Sequence, residues 1–180
     1  SEGFVAKYLD DKAMSQPAAA IYMAAKEISR LSVHAGKMIE AMKNAIEKRN
    51  ITDIRDKYVD EHDKVKELQD IIVDFITKLI SSGNLTEKQA EQAAGLMVVS
   101  NNIERIADRC DEVDGLYKKI LDNGQLLSDA AITDLTACMD MTEKLFSESM
   151  NAIITGDSET PDKVAADKKK IRKLQRQAGK

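Results

Sequence analysis

The chain has 180 residues, a formal net charge of -4, 4% aromatic residues, 8 Gly and 2 Pro. This composition is typical of soluble helical proteins and excludes an all-β fold, which needs more turn formers and more β-branched or aromatic residues. The negative charge and the scarcity of aromatic side chains disfavour nucleic-acid binding. Because the sequence has no apolar run of membrane-spanning length and no recognisable signal peptide, we expect a cytoplasmic protein.

A lead-in and two long helices are predicted in the first half of the chain. Residues 1–15 are expected to form an extended lead-in. Apolar residues then recur at heptad spacing over 16–48, which predicts the first helix. Beyond it, apolar residues follow alternating steps of three and four from Ile51 to Leu79, which predicts a second helix that ends before Gly83.

A third helix begins at a predicted capping box, in which Thr86 caps the first turn and Gln89 reaches back. Its apolar stripe continues to Ile120, and the helix is predicted to stop at Asn123 and Gly124. Three helices of about 30 residues joined by short turns pack as antiparallel neighbours, so residues 16–124 are predicted to be an antiparallel three-helix bundle. The apolar residues predicted to lie inside it are Leu31, Met38, Leu68, Ile72, Val99, Ile103 and Ile106.

The last part of the chain repeats the first. The Asn-Ala-Ile sequence at 44–46 recurs at 151–153, and the motif at 65–69 recurs in similar form at 171–175, at offsets of 107 and 106. On this register a fourth helix repeats the first, a fifth repeats the first half of the second, and nothing repeats the third. Residues 125–180 are therefore predicted to be the start of a second repeat that lacks its third helix.

The fourth helix is predicted over 128–156 and the fifth over 161–177. Without a third partner, this pair leaves an apolar stripe, so we expect the fourth helix to lie along the first bundle or the chain to self-associate. The fifth helix has a basic run that is either a solvated face or a contact with an anionic membrane surface or an acidic partner. This run contains Lys168, Lys169, Lys170, Arg172, Lys173 and Arg176.

Two acidic stripes stand out in the sequence, and the one in the third helix is the candidate metal site. In the third helix, i,i+4 spacing places the carboxylates of Glu104 and Asp108 one turn apart, close enough to bind one hard cation or two adjacent ones. Lys66 and Arg105 offer the alternative that the carboxylates are neutralised locally. A second stripe in the second helix is expected to face solvent. It consists of Asp56, Asp60, Asp63, Glu67, Asp70 and Asp74.

Few other residues are candidates for chemistry. Glu61 falls at the apolar phase of the second helix, and it is expected to be a bundle-edge polar residue satisfied by a neighbouring helix. His34 and His62 are isolated, without a Ser/His/Asp order or an HExxH motif, so no enzyme is predicted. Cys110 and Cys138 lie at apolar phases without CxxC spacing and are predicted to be reduced core thiols.

Residues 98–108, Val-Val-Ser-Asn-Asn-Ile-Glu-Arg-Ile-Ala-Asp, resemble the signature helix of PhoU-type domains, in which an apolar stretch leads into a Glu-Arg-Ile-Gly-Asp core. Residues 24–121 resemble one three-helix repeat of that family, and 136–178 resemble the start of a second. Upstream, Tyr-Leu-Asp at 8–10 followed by Pro17 resembles the segment that joins the membrane part of bacterial Na/Pi-cotransporter-like proteins to their C-terminal PhoU-like domain.

The resemblance implies a non-enzymatic regulatory domain of a sodium-dependent phosphate transporter, located on the cytoplasmic side of the cell membrane. Its partner would be the membrane part of the same longer chain. Through the ExxxD motifs of the family, the resemblance also implies a divalent or iron-type metal ion at Glu104 and Asp108. The second acidic motif of the family falls here on His62 and Lys66, and Ala107 replaces the usual Gly.

Two other functions compete with this one. A free-standing PhoU-like adaptor would bind a separate phosphate importer and a sensor kinase. A carboxylate-bridged metalloenzyme would use Glu-x-x-His pairs that project inward, and the sequence has none. The full open reading frame distinguishes the first two, because hydrophobic spans upstream favour the transporter.

Overall fold

The computed structural model describes residues 5–49, 52–124 and 127–156. Within these ranges the chain forms one short 3-10 helix, Asp11–Ser15, followed by four α-helices and no β-strand. The predicted all-α fold class is therefore confirmed. The helices are α1 (Pro17–Lys48), α2 (Thr52–Ser81), α3 (Glu87–Asp122) and α4 (Asp129–Gly156).

Local sequence signals set the helix ends. Pro17 lies in the first turn of α1, where a missing N–H costs no hydrogen bond. The predicted capping box is present at α3: Thr86 Oγ1 accepts from the Gln89 N–H at 3.1 Å, and Gln89 Oε1 accepts from the Thr86 N–H at 3.0 Å. Gly83 and Gly124 follow α2 and α3 with φ of 72° and 69°, left-handed values that glycine adopts without strain.

One apolar core connects the four helices, and α1 contacts each of the other three. Cross-helix pairs such as Arg55 with Asp114 and Lys66 with Glu104 show that α2 and α3 are antiparallel. All the apolar residues predicted to lie inside the three-helix bundle are buried, so the phases assigned to α1, α2 and α3 are correct. These residues are Leu31, Met38, Leu68, Ile72, Val99, Ile103 and Ile106.

The fourth helix lies along the first bundle, as the first of the two alternatives predicts. α4 packs against α3 and α1, and it buries Leu135 and Met139. The prediction for the cysteines is wrong in one case, because Cys110 is buried but Cys138 is exposed. Only one side of α4 is covered within the described residues, and Cys138 lies outside that side. The predicted fifth helix, residues 161–177, lies outside the described residues.

The lead-in packs on the bundle. Ala13 is buried, and Leu9 and Met14 are partly buried against the same core. Asp10 caps the 3-10 helix by accepting the Lys12 N–H at 3.0 Å. This capped turn is a helical segment where an extended one was expected. No helix within the described ranges has a stretch long and apolar enough to cross a bilayer.

Candidate functional site

The interface between α2 and α3 contains a row of polar pairs. At one end Arg55 forms a bidentate pair with Asp114, in which Nε donates to Oδ1 and Nη2 donates to Oδ2, both at 2.9 Å. This hydrogen bonding raises the pKa of Arg55 above its usual value. A bidentate guanidinium–carboxylate pair adds geometric specificity as well as energy. The pair therefore ties the start of α2 to the last part of α3.

The next pair in the row centres on Asp111. Its Oδ1 accepts a hydrogen bond from the Tyr58 hydroxyl at 3.0 Å. His62 Nε2 lies 2.8 Å from the same oxygen without forming a hydrogen bond to it. Burial is the largest of the effects that raise the pKa of Tyr58. The phenol therefore stays protonated and acts as a donor between the helices.

The predicted metal pair, Glu104 and Asp108, lies at the other end of the row, opposite Lys66. The Lys66 ammonium is 3.4 Å from Asp108 Oδ1 and 3.9 Å from Glu104 Oε1. Both carboxylates are well exposed, at 46% for Glu104 and 60% for Asp108. No group of three or more His, Cys, Asp or Glu side chains that could hold a metal ion occurs among the described residues.

This donor set is poor for a metal ion. Hard cations such as Ca²⁺ take six or more oxygen ligands, so two carboxylates would leave most of the coordination shell to water. The ammonium of Lys66 also opposes a second cation at the same place. The assignment of a metal to Glu104 and Asp108 stays a prediction.

Glu61 is satisfied by a neighbouring helix, as predicted. It is buried in α2, and its Oε2 lies 2.7 Å from His34 Nδ1 in α1. Lys64 Nζ lies 3.9 Å from the other carboxylate oxygen. The pair is a polar contact inside the α1–α2 interface. Glu61 and His34 are therefore structural parts of the α1–α2 interface.

The acidic stripe of α2 faces solvent, as predicted. Two of its members pair with lysines one turn further along the same helix: Asp60 with Lys64 at 3.0 Å and Asp74 with Lys78 at 3.1 Å. Such exposed i,i+4 pairs contribute little to stability. The stripe is therefore a solvated face. Its exposed members are Asp56, Asp60, Asp63, Glu67, Asp70 and Asp74.

A buried carboxylate holds the lead-in against α1. Glu27 is fully buried, and its Oε1 accepts the backbone N–H groups of Lys7 and Tyr8. Arg30 Nη1 lies 3.4 Å from Glu27 Oε2 and donates to the Val5 carbonyl oxygen at 2.9 Å. A buried carboxylate is tolerated only when it is paired and hydrogen-bonded, and here both conditions hold. We call this arrangement of Glu27, Arg30 and residues 5–8 the lead-in clasp.

Sequence reasoning missed the lead-in clasp and the Arg55–Asp114 pair. Glu27 lies between Ala24 and Leu31 on the buried side of α1, so an acid at an apolar phase is the signal that could have revealed it. Arg55 and Asp114 have no such signal. Their pairing depends on how α2 and α3 align, which spacing within either helix does not show.

A groove of about 510 Å³ opens between α1 and α4. Gly36, Ile39 and Phe146 line it, and Lys43 Nζ lies 2.6 Å from Glu143 Oε2 within it. The hydrogen bond to Glu143 raises the pKa of Lys43. Because the one cation among the lining residues is already paired with a carboxylate, the groove is a poor site for an anion such as phosphate.

Part of the chain is similar to a known protein family. Residues 28–114 match the family model of the PhoU domain. The matched range begins within α1, includes α2 and ends within α3, and it contains the signature stretch 98–108. No curated protein and no solved structure matches the chain. Over residues 28–114 the chain is therefore similar to PhoU domains, as the signature in α3 predicts, and its helical bundle is consistent with that similarity.

Proposed function

We propose that the chain is a regulatory, non-catalytic domain of a sodium-dependent phosphate transporter and lies on the cytoplasmic side of the membrane. The match of residues 28–114 to the PhoU domain is the observation that carries this proposal, because it points to regulation of phosphate transport. The upstream segment at 8–10 supports the attachment to a transporter. Its resemblance is to the segment that joins the two parts of Na/Pi-cotransporter-like proteins.

The way the lead-in is held supports a role in relaying a signal. The lead-in clasp fixes residues 5–8 to the side of α1 through a fully buried carboxylate. Since α1 contacts α2, α3 and α4, a displacement of α1 changes packing throughout the bundle. A signal sensed by the bundle would therefore reach the lead-in, and through it the membrane part of the same longer chain.

The polar groups of the bundle support a structural rather than a catalytic use. Arg55, Tyr58 and Lys66 each contact a carboxylate of α3. Such pairing holds two helices in one register, whereas a catalytic group must be accessible to a substrate. The proposed domain acts through packing and partner contacts.

The test is phosphate uptake by the full-length protein in phospholipid vesicles. The proposal predicts sodium-dependent uptake of radiolabelled phosphate, with a rate that depends on the phosphate concentration on the domain's side. Deletion of residues 5–180 should leave uptake but abolish that dependence. If the protein transports no phosphate by itself and copurifies with a separate phosphate importer, the free-standing adaptor is the correct function instead.

A further inference from the structure

One face of α4 is left open by the described residues. Met141 is 65% exposed, Cys138 and Glu148 are also exposed, and Leu145 is only partly buried. A run of exposed or half-exposed apolar side chains at helical spacing is an uncovered packing surface. We call this surface the outer face of α4. Its members are Asp134, Cys138, Met141, Leu145 and Glu148.

The internal repeat shows what the equivalent face of α1 does. At the offset of 107, the outer face of α4 corresponds to a face of α1 that is buried at every position except the partly buried His34. The face next to it, about 100° round the helix, is buried in both helices, since Leu135 and Met139 are buried as Ile28 and Ser32 are. The two helices therefore differ most at the outer face of α4. The equivalent α1 face consists of Glu27, Leu31, His34, Met38 and Ala41.

In the first repeat α2 contacts this face, as the 2.7 Å contact between Glu61 and His34 shows. At the offset of 106, the buried positions of α2 correspond to positions in the C-terminal segment that are mostly apolar. The pattern needed to cover a second helix is thus present in that segment. Between residues 58 and 72 the buried positions Tyr58, Glu61, Val65, Leu68, Gln69 and Ile72 correspond to Val164, Asp167, Ile171, Leu174, Gln175 and Ala178.

We propose that residues 161–178 of this chain dock as a helix, antiparallel to α4, on its outer face. The segment follows α4 after a short connection, and as a helix it would be about 27 Å long, enough to cover the roughly 21 Å from residue 134 to residue 148. Charge complementarity favours the same occupant. In the register of the Glu61–His34 contact, Asp134 is level with residue 174, within one helical turn of Arg172 and Lys173.

Cys138 gives a direct test because it lies on the outer face and is exposed. Cys110 is buried and the burial raises its pKa to about 12, so it reacts slowly with thiol reagents. The experiment measures the rate of maleimide labelling of Cys138 in the full chain. Each rate is determined at several protein concentrations, and Cys138→Ser identifies the labelled thiol.

Docking predicts slow labelling in the parent chain and labelling at least about tenfold faster in the Ile171→Glu, Leu174→Glu double variant. Lys170→Glu is the matched control, with a similar change of charge at a position outside the apolar pattern, and it should label slowly. Fast labelling in the parent, or equal rates in parent and double variant, would overturn the proposal. Protection that disappears on dilution would also overturn it, by assigning the face to a second copy of the chain.

Discussion

Glu27 is a charged residue with no exposed surface, and its environment shows why it is tolerated there. Two backbone N–H groups and the Arg30 guanidinium surround the carboxylate. In Glu27→Gln the neutral amide accepts weaker hydrogen bonds and presents an NH₂ group to donors. We expect amide exchange at Lys7 and Tyr8 to rise by about tenfold and the free energy of unfolding to fall by about 1–3 kcal/mol.

Hydrogen-exchange mass spectrometry of the N-terminal peptide measures the first effect, and urea unfolding measures the second. Glu40→Gln is the control, because Glu40 is an exposed acid on the same helix. Unchanged exchange at Lys7 and Tyr8 in Glu27→Gln would show that the lead-in is held by other contacts.

Ile103 is fully buried in the core, so its truncation tests which face of α3 points inward. Truncation in Ile103→Ala removes buried methyl and methylene groups and leaves a cavity, so the free energy of unfolding should fall by about 2–5 kcal/mol. Val98→Ala is a matched control on the same helix, because Val98 is 56% exposed and its truncation should cost less than about 0.5 kcal/mol. If urea unfolding shows the same loss of free energy of unfolding for Ile103→Ala and Val98→Ala, the orientation of α3 is wrong.

Because Tyr58 and Cys110 are buried, we expect the free energy of unfolding to fall at alkaline pH. Burial raises the pKa of both groups, that of Cys110 from 9.0 to about 12. Above pH 9.0 the unfolded chain therefore binds fewer protons than the folded one, and the free energy of unfolding falls as pH rises. The stability that these two groups contribute is fully present below their ordinary pKa values, and it is lost as the pH rises above those values.

Tyr58→Phe removes one of the two groups. The free energy of unfolding should therefore fall less between about pH 8 and about pH 10.5 in this variant than in the parent. Urea unfolding at both values measures it. Tyr22→Phe is the control, since Tyr22 is 62% exposed and its removal should leave the fall unchanged. The same pH dependence in Tyr58→Phe as in the parent would contradict the role assigned to burial.

At the scale of helix pairs, Lys66 of α2 competes with any cation at the two carboxylates of α3. Lys66→Met removes the ammonium that lies 3.4 Å from Asp108 and 3.9 Å from Glu104. Because the carboxylates are well exposed, solvent screens the effect, and we expect Mg²⁺ or Fe²⁺ to bind about three- to tenfold more tightly than in the parent. Calorimetric titration measures the two affinities.

The Glu104→Gln, Asp108→Asn double substitution in the Lys66→Met background is the control, and it should abolish binding. Binding that survives it would place the ion elsewhere. If neither the parent nor Lys66→Met binds a cation, the metal assignment is wrong.

The helices and the core could be predicted from the sequence because both depend on local patterns. Apolar periodicity identifies Ile103 as a core residue, and the spacing of Thr86 and Gln89 identifies the start of α3. These signals lie within one helix and need no knowledge of its neighbours.

The interactions between helices could not be predicted in the same way. Arg55 and Asp114 are far apart in sequence and pair only because α2 and α3 align. Cys138 has the phase of a core residue, but it is exposed because one face of α4 is uncovered within the described residues. An apolar phase shows that a side chain can be buried, and the packing partner decides whether it is.

For the molecule as a whole, we propose that the bundle regulates transport through the lead-in clasp. The most direct test is radiolabelled phosphate uptake by the full-length protein in vesicles, comparing the parent with Glu27→Gln and the control Glu40→Gln. We predict that Glu27→Gln still transports phosphate but loses the dependence on phosphate at the domain's side, while Glu40→Gln keeps it. If uptake by Glu27→Gln depends on phosphate at the domain's side as it does in the parent, the lead-in clasp does not relay the signal.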